Sequence, residues 1–125
     1  MSALRDARLH LDKAREFLEA AEANHDLDLY NAAASAAVTS GINSKDAVCL
    51  ATKGATGRSD NHTDAVGELR RSGPIGAAIA STFNRLLGVK TRAQYQTRAT
   101  TAKASQDALI WAERMYEAAQ RAVLE

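Results

Sequence analysis

The sequence predicts an all-α fold, an antiparallel four-helix bundle with an additional short helix. Three observations carry this. Apolar residues recur at helical spacing with no alternation of period two. A central stretch holds too much alanine for a strand. Glycine, proline and short polar runs divide the chain at helix-length intervals. At 125 residues, a single domain over 1–125 is expected, with a core large enough to do without disulfide or metal staples.

The first segment places Leu4, Leu11 and Leu18 seven residues apart, with Ala7, Ala14 and Ala21 three places after each. This is an apolar stripe on one helical face. Asn24, His25 and Asp26 end it, and Asp26 or Asp28 is expected to cap the next helix. The second segment, about 29 to 53, contains NAAASAAVTSGINSKDAVCLA. Gly41 inside it costs about 1 kcal/mol relative to alanine. Close approach of another helix would compensate, either at the centre of the bundle or at a tight dimer contact.

Asn61 is expected to cap a short third helix, with Asp64 favouring its positive end. Ala65, Val66 and Leu69 supply its apolar side. The run RRSGP, 70–74, ends it, because Gly73 admits a left-handed conformation and Pro74 cannot continue the hydrogen-bond ladder. Pro74 suits the first turn of a fourth segment, whose buried face is Ile75, Ile79, Leu86 and Leu87. The last helix starts after Thr100 or Thr101. Ala104, Ala108, Trp111, Met115, Ala118 and Ala122 form its core stripe, with Trp111 as the largest anchor.

Composition narrows the function classes. The lone cysteine, Cys49, has no internal disulfide partner and sits in an apolar helical pattern, so it reads as a small core residue. No Cys/His spacing suits zinc, and no metal or cofactor is expected. The chain has no apolar run near membrane-spanning length and begins with charges instead of a signal peptide. A cytoplasmic protein with no membrane contact is therefore expected. The net charge of +1 conceals a segregation. Residues 1–68 carry 7 Lys/Arg and 11 Asp/Glu, whereas 69–106 carry seven cations and no acid. Such an imbalance favours phosphates or an acidic partner, unless the cations spread over several helices and pair there.

Two constellations carry candidate chemistry. The run GRSDNH, 57–62, brings Arg58, Asp60 and His62 within five residues. Metal-free RNA cleavage needs a group to take the 2′-hydroxyl proton and a cation for the transition state. His62 and Arg58 suit these roles, and Asp60 is able to orient the imidazole. The same residues also suit an ordinary helix start. The second constellation is Arg85, Lys90, Arg92, Tyr95 and Arg98, where cations flank an aromatic ring. This composition serves phosphate contacts with base stacking, or a tyrosine packed into the bundle among solvated cations.

The order of segments, and three stretches within it, resemble the HEPN domain (higher eukaryote and prokaryote nucleotide-binding). AAASAAVTSG, 32–41, is similar to the family's second helix, which often reads like AASRAYYA, with Val38 and Thr39 where that pattern has aromatics. KTRAQY, 90–95, resembles RxxADY ahead of the final helix. It keeps Ala93 and Tyr95, with Lys90 in place of Arg and Gln94 in place of Asp. GRSDNHTDAV resembles the family's glycine–histidine loop, in a form common in actinobacterial members. The resemblance implies a four- or five-helix bundle, commonly a homodimer, associated with nucleotides or RNA. It also implies toxin–antitoxin or defence systems, with an antitoxin or a nucleotidyltransferase as possible partner. The family's ribonucleases carry Arg followed by His after four to six residues. Here Arg58 and His62 are separated by three and precede the third helix. Arg5 and His10 have the spacing but lie in the first helix, where the pair reads as an accident of an exposed face.

Three readings follow. The first is a non-catalytic module that binds nucleotide, RNA or a partner protein through the basic 85–103 region. The second is a metal-independent endoribonuclease toxin using Arg58 and His62. The third is a structural homodimeric scaffold built on the small-residue face around Gly41.

Overall fold

The structure, a computed structural model, describes residues 2–58, 60–95 and 99–124, and of 90–95 it describes the backbone only. Five helices follow in order: α1 (Ala3–Asp26), α2 (Tyr30–Lys53), α3 (His62–Arg71), α4 (Pro74–Tyr95) and α5 (Ala102–Leu124). No strand occurs among the described residues. Four helices of 22 to 24 residues and a fifth of 10 give the expected bundle with one short member.

The stripe of α1 buries Ala7, Leu11, Ala14, Leu18 and Ala21, while Leu4, the first member of the repeat, remains 41% exposed at the helix start. Ser2 caps α1 by accepting the Arg5 backbone N–H at 3.1 Å. The cap expected for α2 does not form. Leu29 occupies that position with no side-chain cap, and Asp28 instead adopts φ 62° and accepts the Tyr30 hydroxyl at 2.9 Å. Aspartate tolerates this left-handed turn better than most residues. The chain thus reverses within three residues and lays α2 back along α1.

Helix α2 is central and packs against all four others. Its small side chains are the reason. Ala33, Ala34, Ala37, Ser40, Gly41 and Ser44 are all buried, and Ser40 Oγ donates to the Ala14 carbonyl at 2.7 Å. A Cβ on Gly41 would lie 2.3 Å from Leu86 Cδ2. Of the two places expected for Gly41, it occupies the centre of the bundle, in contact with α4. Leu86, Leu87 and Phe83 form the buried face of α4, with Ile75 and Ile79 only partly covered. Cys49 is fully buried, and burial pushes its thiol up, so it is a core residue and an unreactive one.

The remaining boundaries follow from their residues. Gly54 ends α2 in the left-handed region, and Asn61 caps α3 by accepting the Asp64 N–H at 3.1 Å. Thr101 caps α5 through the Ala104 N–H at 3.0 Å. The expected anchor of α5 is corrected. Trp111 is only partly buried, and Met115 is the fully buried large residue. The sharp α3–α4 corner depends on Gly76, where a Cβ would lie 2.1 Å from Ser72 Oγ and 2.2 Å from the Leu69 carbonyl oxygen. Rotating a side chain does not relieve a clash with backbone. Gly76→Ala should therefore lower stability by about 2 kcal/mol, as overpacking does, read from urea denaturation midpoints.

Candidate functional site

A lysine organises the end of the bundle where α2 meets α3. Lys45 is 3% exposed, and its ammonium donates to Glu68 of α3, to Thr56 Oγ1 at 2.9 Å, to Asp46 Oδ1 at 3.4 Å and to the Gly57 carbonyl at 3.5 Å. The Thr56 hydroxyl in turn donates to Asp46 Oδ1 at 2.6 Å. Both Glu68 oxygens accept the Gly57 N–H, at 2.9 and 2.8 Å, and Lys53 stands 3.4 Å away. The loop 54–57 is thus fastened to α2 and α3 by charge-assisted bonds. Burial pushes the Glu68 carboxyl up, but the bonds from Lys45 and Gly57 and the charges of Lys45 and Lys53 outweigh it and lower its pKa to about 2.

The fastened loop forms one wall of a cleft of about 710 Å³. Arg58, Asp60, Asn61 and His62 line this wall, and Asp6, Leu9, His10 and Lys13 of α1 also line the cleft. Ile42, Leu50, Phe83 and Leu87 contribute its apolar lining. Arg58 and Lys13 are exposed cations there, and His62, the first residue of α3, is half-buried. The three loop residues singled out in the sequence therefore come together in one concave site.

His10 reverses an expectation. Its ring is half-buried and lines the cleft, with Nδ1 2.9 Å from Asn43 Oδ1 and 3.9 Å from Asp46 Oδ2. Spacing places His10 beside the stripe of Ala7, Leu11 and Ala14, three residues after Ala7 and four before Ala14, and this was a readable sign of partial burial. Lys45 had a comparable sign, four residues after Gly41 and three before Val48, on the face that packs inward.

Of the second constellation only Arg85 has a described side chain. Arg85 is exposed on α4 and is not among the cleft's lining residues. The side chains of Lys90, Arg92 and Tyr95, and Arg98 altogether, lie outside the described residues. Lys103, from the same acid-free stretch, pairs with Asp107 at 3.0 Å. Among the described residues no group of three or more His, Cys, Asp or Glu is placed to hold a metal ion, and no helix is long and apolar enough to cross a membrane.

These features define a class, a small all-α bundle with a ligand-sized polar cleft beside its shortest helix. The family model of the HEPN domain matches residues 7–122, nearly the whole chain, and the chain belongs to the HEPN family. Membership of this family supports a nucleotide- or RNA-associated role. Among curated proteins none matches this sequence.

The lysine cluster makes a testable demand on pH. Glu68 has a folded pKa near 2 against an ordinary value of 4.5. Its contribution to stability is complete above the unfolded value and disappears as pH falls through the folded one. Urea unfolding of the native chain should show stability declining from about pH 5 toward 2. Lys45→Met should start about 3 kcal/mol lower at neutral pH, because it leaves the half-buried Asp46 and Glu68 carboxylates without their cation, and should show a shallower acid decline.

Proposed function

We propose that the cleft binds the phosphate of a nucleotide or RNA, and that the protein acts as a non-catalytic nucleotide- or RNA-associated module. The observation that carries this reading is the convergence of Arg58, His62 and Lys13 on one cleft of nucleotide size. Arginine presents a planar fork of donors that stays charged and matches phosphate oxygens. The imidazole of His62 supplies a further donor, and the apolar lining offers a surface for a base or sugar. This moves the weight of the reading from the 85–103 region to the loop after α2. A homodimer, and an antitoxin or nucleotidyltransferase partner in a toxin–antitoxin or defence setting, agree with the family and belong to the same proposal.

The test is fluorescence anisotropy with a short labelled RNA and with a nucleoside monophosphate as competitor. Arg58→Ala should weaken binding roughly tenfold, the worth of a charge-assisted hydrogen bond. It should also reduce the slope of log affinity against log salt by about one. Unchanged affinity and slope would remove the cleft from consideration.

A second reading, a metal-independent endoribonuclease, is favoured by the presence of Arg58, Asp60 and His62 in one site. His62 takes the 2′-hydroxyl proton as the oxygen attacks phosphorus, and Arg58 neutralises the developing charge. The 5′-oxygen then leaves and takes up a proton, so the products are a 2′,3′-cyclic phosphate and a 5′-hydroxyl. Incubated RNA should then acquire these ends in chelator, and His62→Ala should lower the rate at least about 100-fold. Intact RNA after prolonged incubation leaves the binding module as the function.

A further inference from the structure

A histidine that reads as incidental in sequence is held in one defined state. Asn43 Nδ2 donates to the Thr39 carbonyl at 3.0 Å. A carbonyl only accepts, so this bond sets the orientation of the Asn43 amide. Its oxygen is thereby directed to His10, 2.9 Å from Nδ1. An amide oxygen also only accepts, so Nδ1 must carry the hydrogen. In the neutral ring the remaining nitrogen, Nε2, is then an acceptor with no proton of its own.

The nearest carboxylate among the described residues, Asp46, has its Oδ2 3.9 Å from Nδ1, beyond hydrogen-bond reach, so the Asn43 oxygen at 2.9 Å is the partner of that nitrogen. Asp6 and Lys13 flank His10 one turn to either side on α1 and line the same cleft. Arg58 and His62 line the same cleft. The cleft therefore combines cations that suit a phosphate with an acceptor that suits a hydroxyl.

We propose that His10, set in its Nδ1–H form by Asn43, accepts a hydrogen bond from a ribose hydroxyl of the bound nucleotide and so selects sugar phosphates that carry one. Asn43 is the positioning residue. The proposal rests on the phosphate-binding reading above, with Arg58 and His62 on the phosphate and His10 on the sugar. It adds a requirement that phosphate binding alone does not make, since an acceptor nitrogen gains nothing from a phosphate oxygen.

Calorimetric titration with adenosine 5′-monophosphate and its 2′,3′-dideoxy counterpart separates the two. The native chain should bind the ribonucleotide about fivefold more tightly, the worth of one neutral hydrogen bond. His10→Ala and Asn43→Ala should lose this preference while keeping the affinity for the dideoxy compound. Equal affinity of the native chain for both nucleotides overturns the role of His10 and leaves the phosphate reading standing. Failure of both nucleotides to bind, with Arg58→Ala indistinguishable from the native chain toward RNA, removes both readings. Nitrogen-15 NMR of the imidazoles provides a readout that does not depend on ligand or on the variants folding. At alkaline pH His10 should show a protonated Nδ1 and a bare Nε2, and the opposite tautomer overturns the proposal.

Discussion

The buried Lys45 ammonium is the interaction on which the functional end of the molecule depends. Withdrawing a charge from water costs several kcal/mol unless partners replace the lost hydration. Here the partners come from three places in the chain: Asp46 on the same helix, Thr56 and Gly57 in the following loop, and Glu68 on α3. Because an unpartnered charge at this depth is so costly, the loop and α3 are held to α2 by the penalty for leaving. The position of Arg58 and His62 follows from that. They extend a loop whose base is fastened on both sides, so the cleft wall is pre-organised before any ligand arrives.

The rest of the fold is arranged around the narrow backbone of α2. Alanine, serine and glycine on its surface let four helices approach, and the cost of Gly41 in a helix interior is offset by the Leu86 side chain that packs over it. The far end is joined by polar contacts of a different kind. His25 Nδ1 lies 2.8 Å from Ser105 Oγ, and Asn31 Oδ1 accepts the Thr100 N–H at 2.8 Å. These tie the α1–α2 turn to the start of α5. Ser105 is fully buried, so this His–Ser pair braces helices and is closed to substrate. The two ends thus divide the work, one braced against itself and the other open as a cleft.

Much of the fold was legible in the residues because it rests on local rules. The Leu/Ala heptads of α1, the Asn61 cap, the Pro74 start and the Thr101 cap each depend on spacing or on one side chain near its own backbone. The failures fell where a neighbour decided the outcome. Asp28 gave up capping for a turn, Met115 and not Trp111 became the fully buried large residue of α5, and Leu4 stayed 41% exposed at the helix start. At the site, the GRSDNH run was readable as a cluster of reactive types. For His10 and Lys45 the spacing indicated burial but not a role, because their partners Asn43 and Glu68 lie 33 and 23 residues away.

By itself, then, the sequence determined the helices, most of their boundaries and the family, since period, capping and turn chemistry act within a few residues of each other. It also supplied Arg58, Asp60 and His62 as candidates. Only the tertiary structure decided that these three share a cleft with His10, and that a lysine in an alanine-rich helix is the fastening of that cleft. The physical reason is that burial of charge and the tautomer of an imidazole are properties of surroundings. Those surroundings are assembled from segments the chain brings together only when it folds.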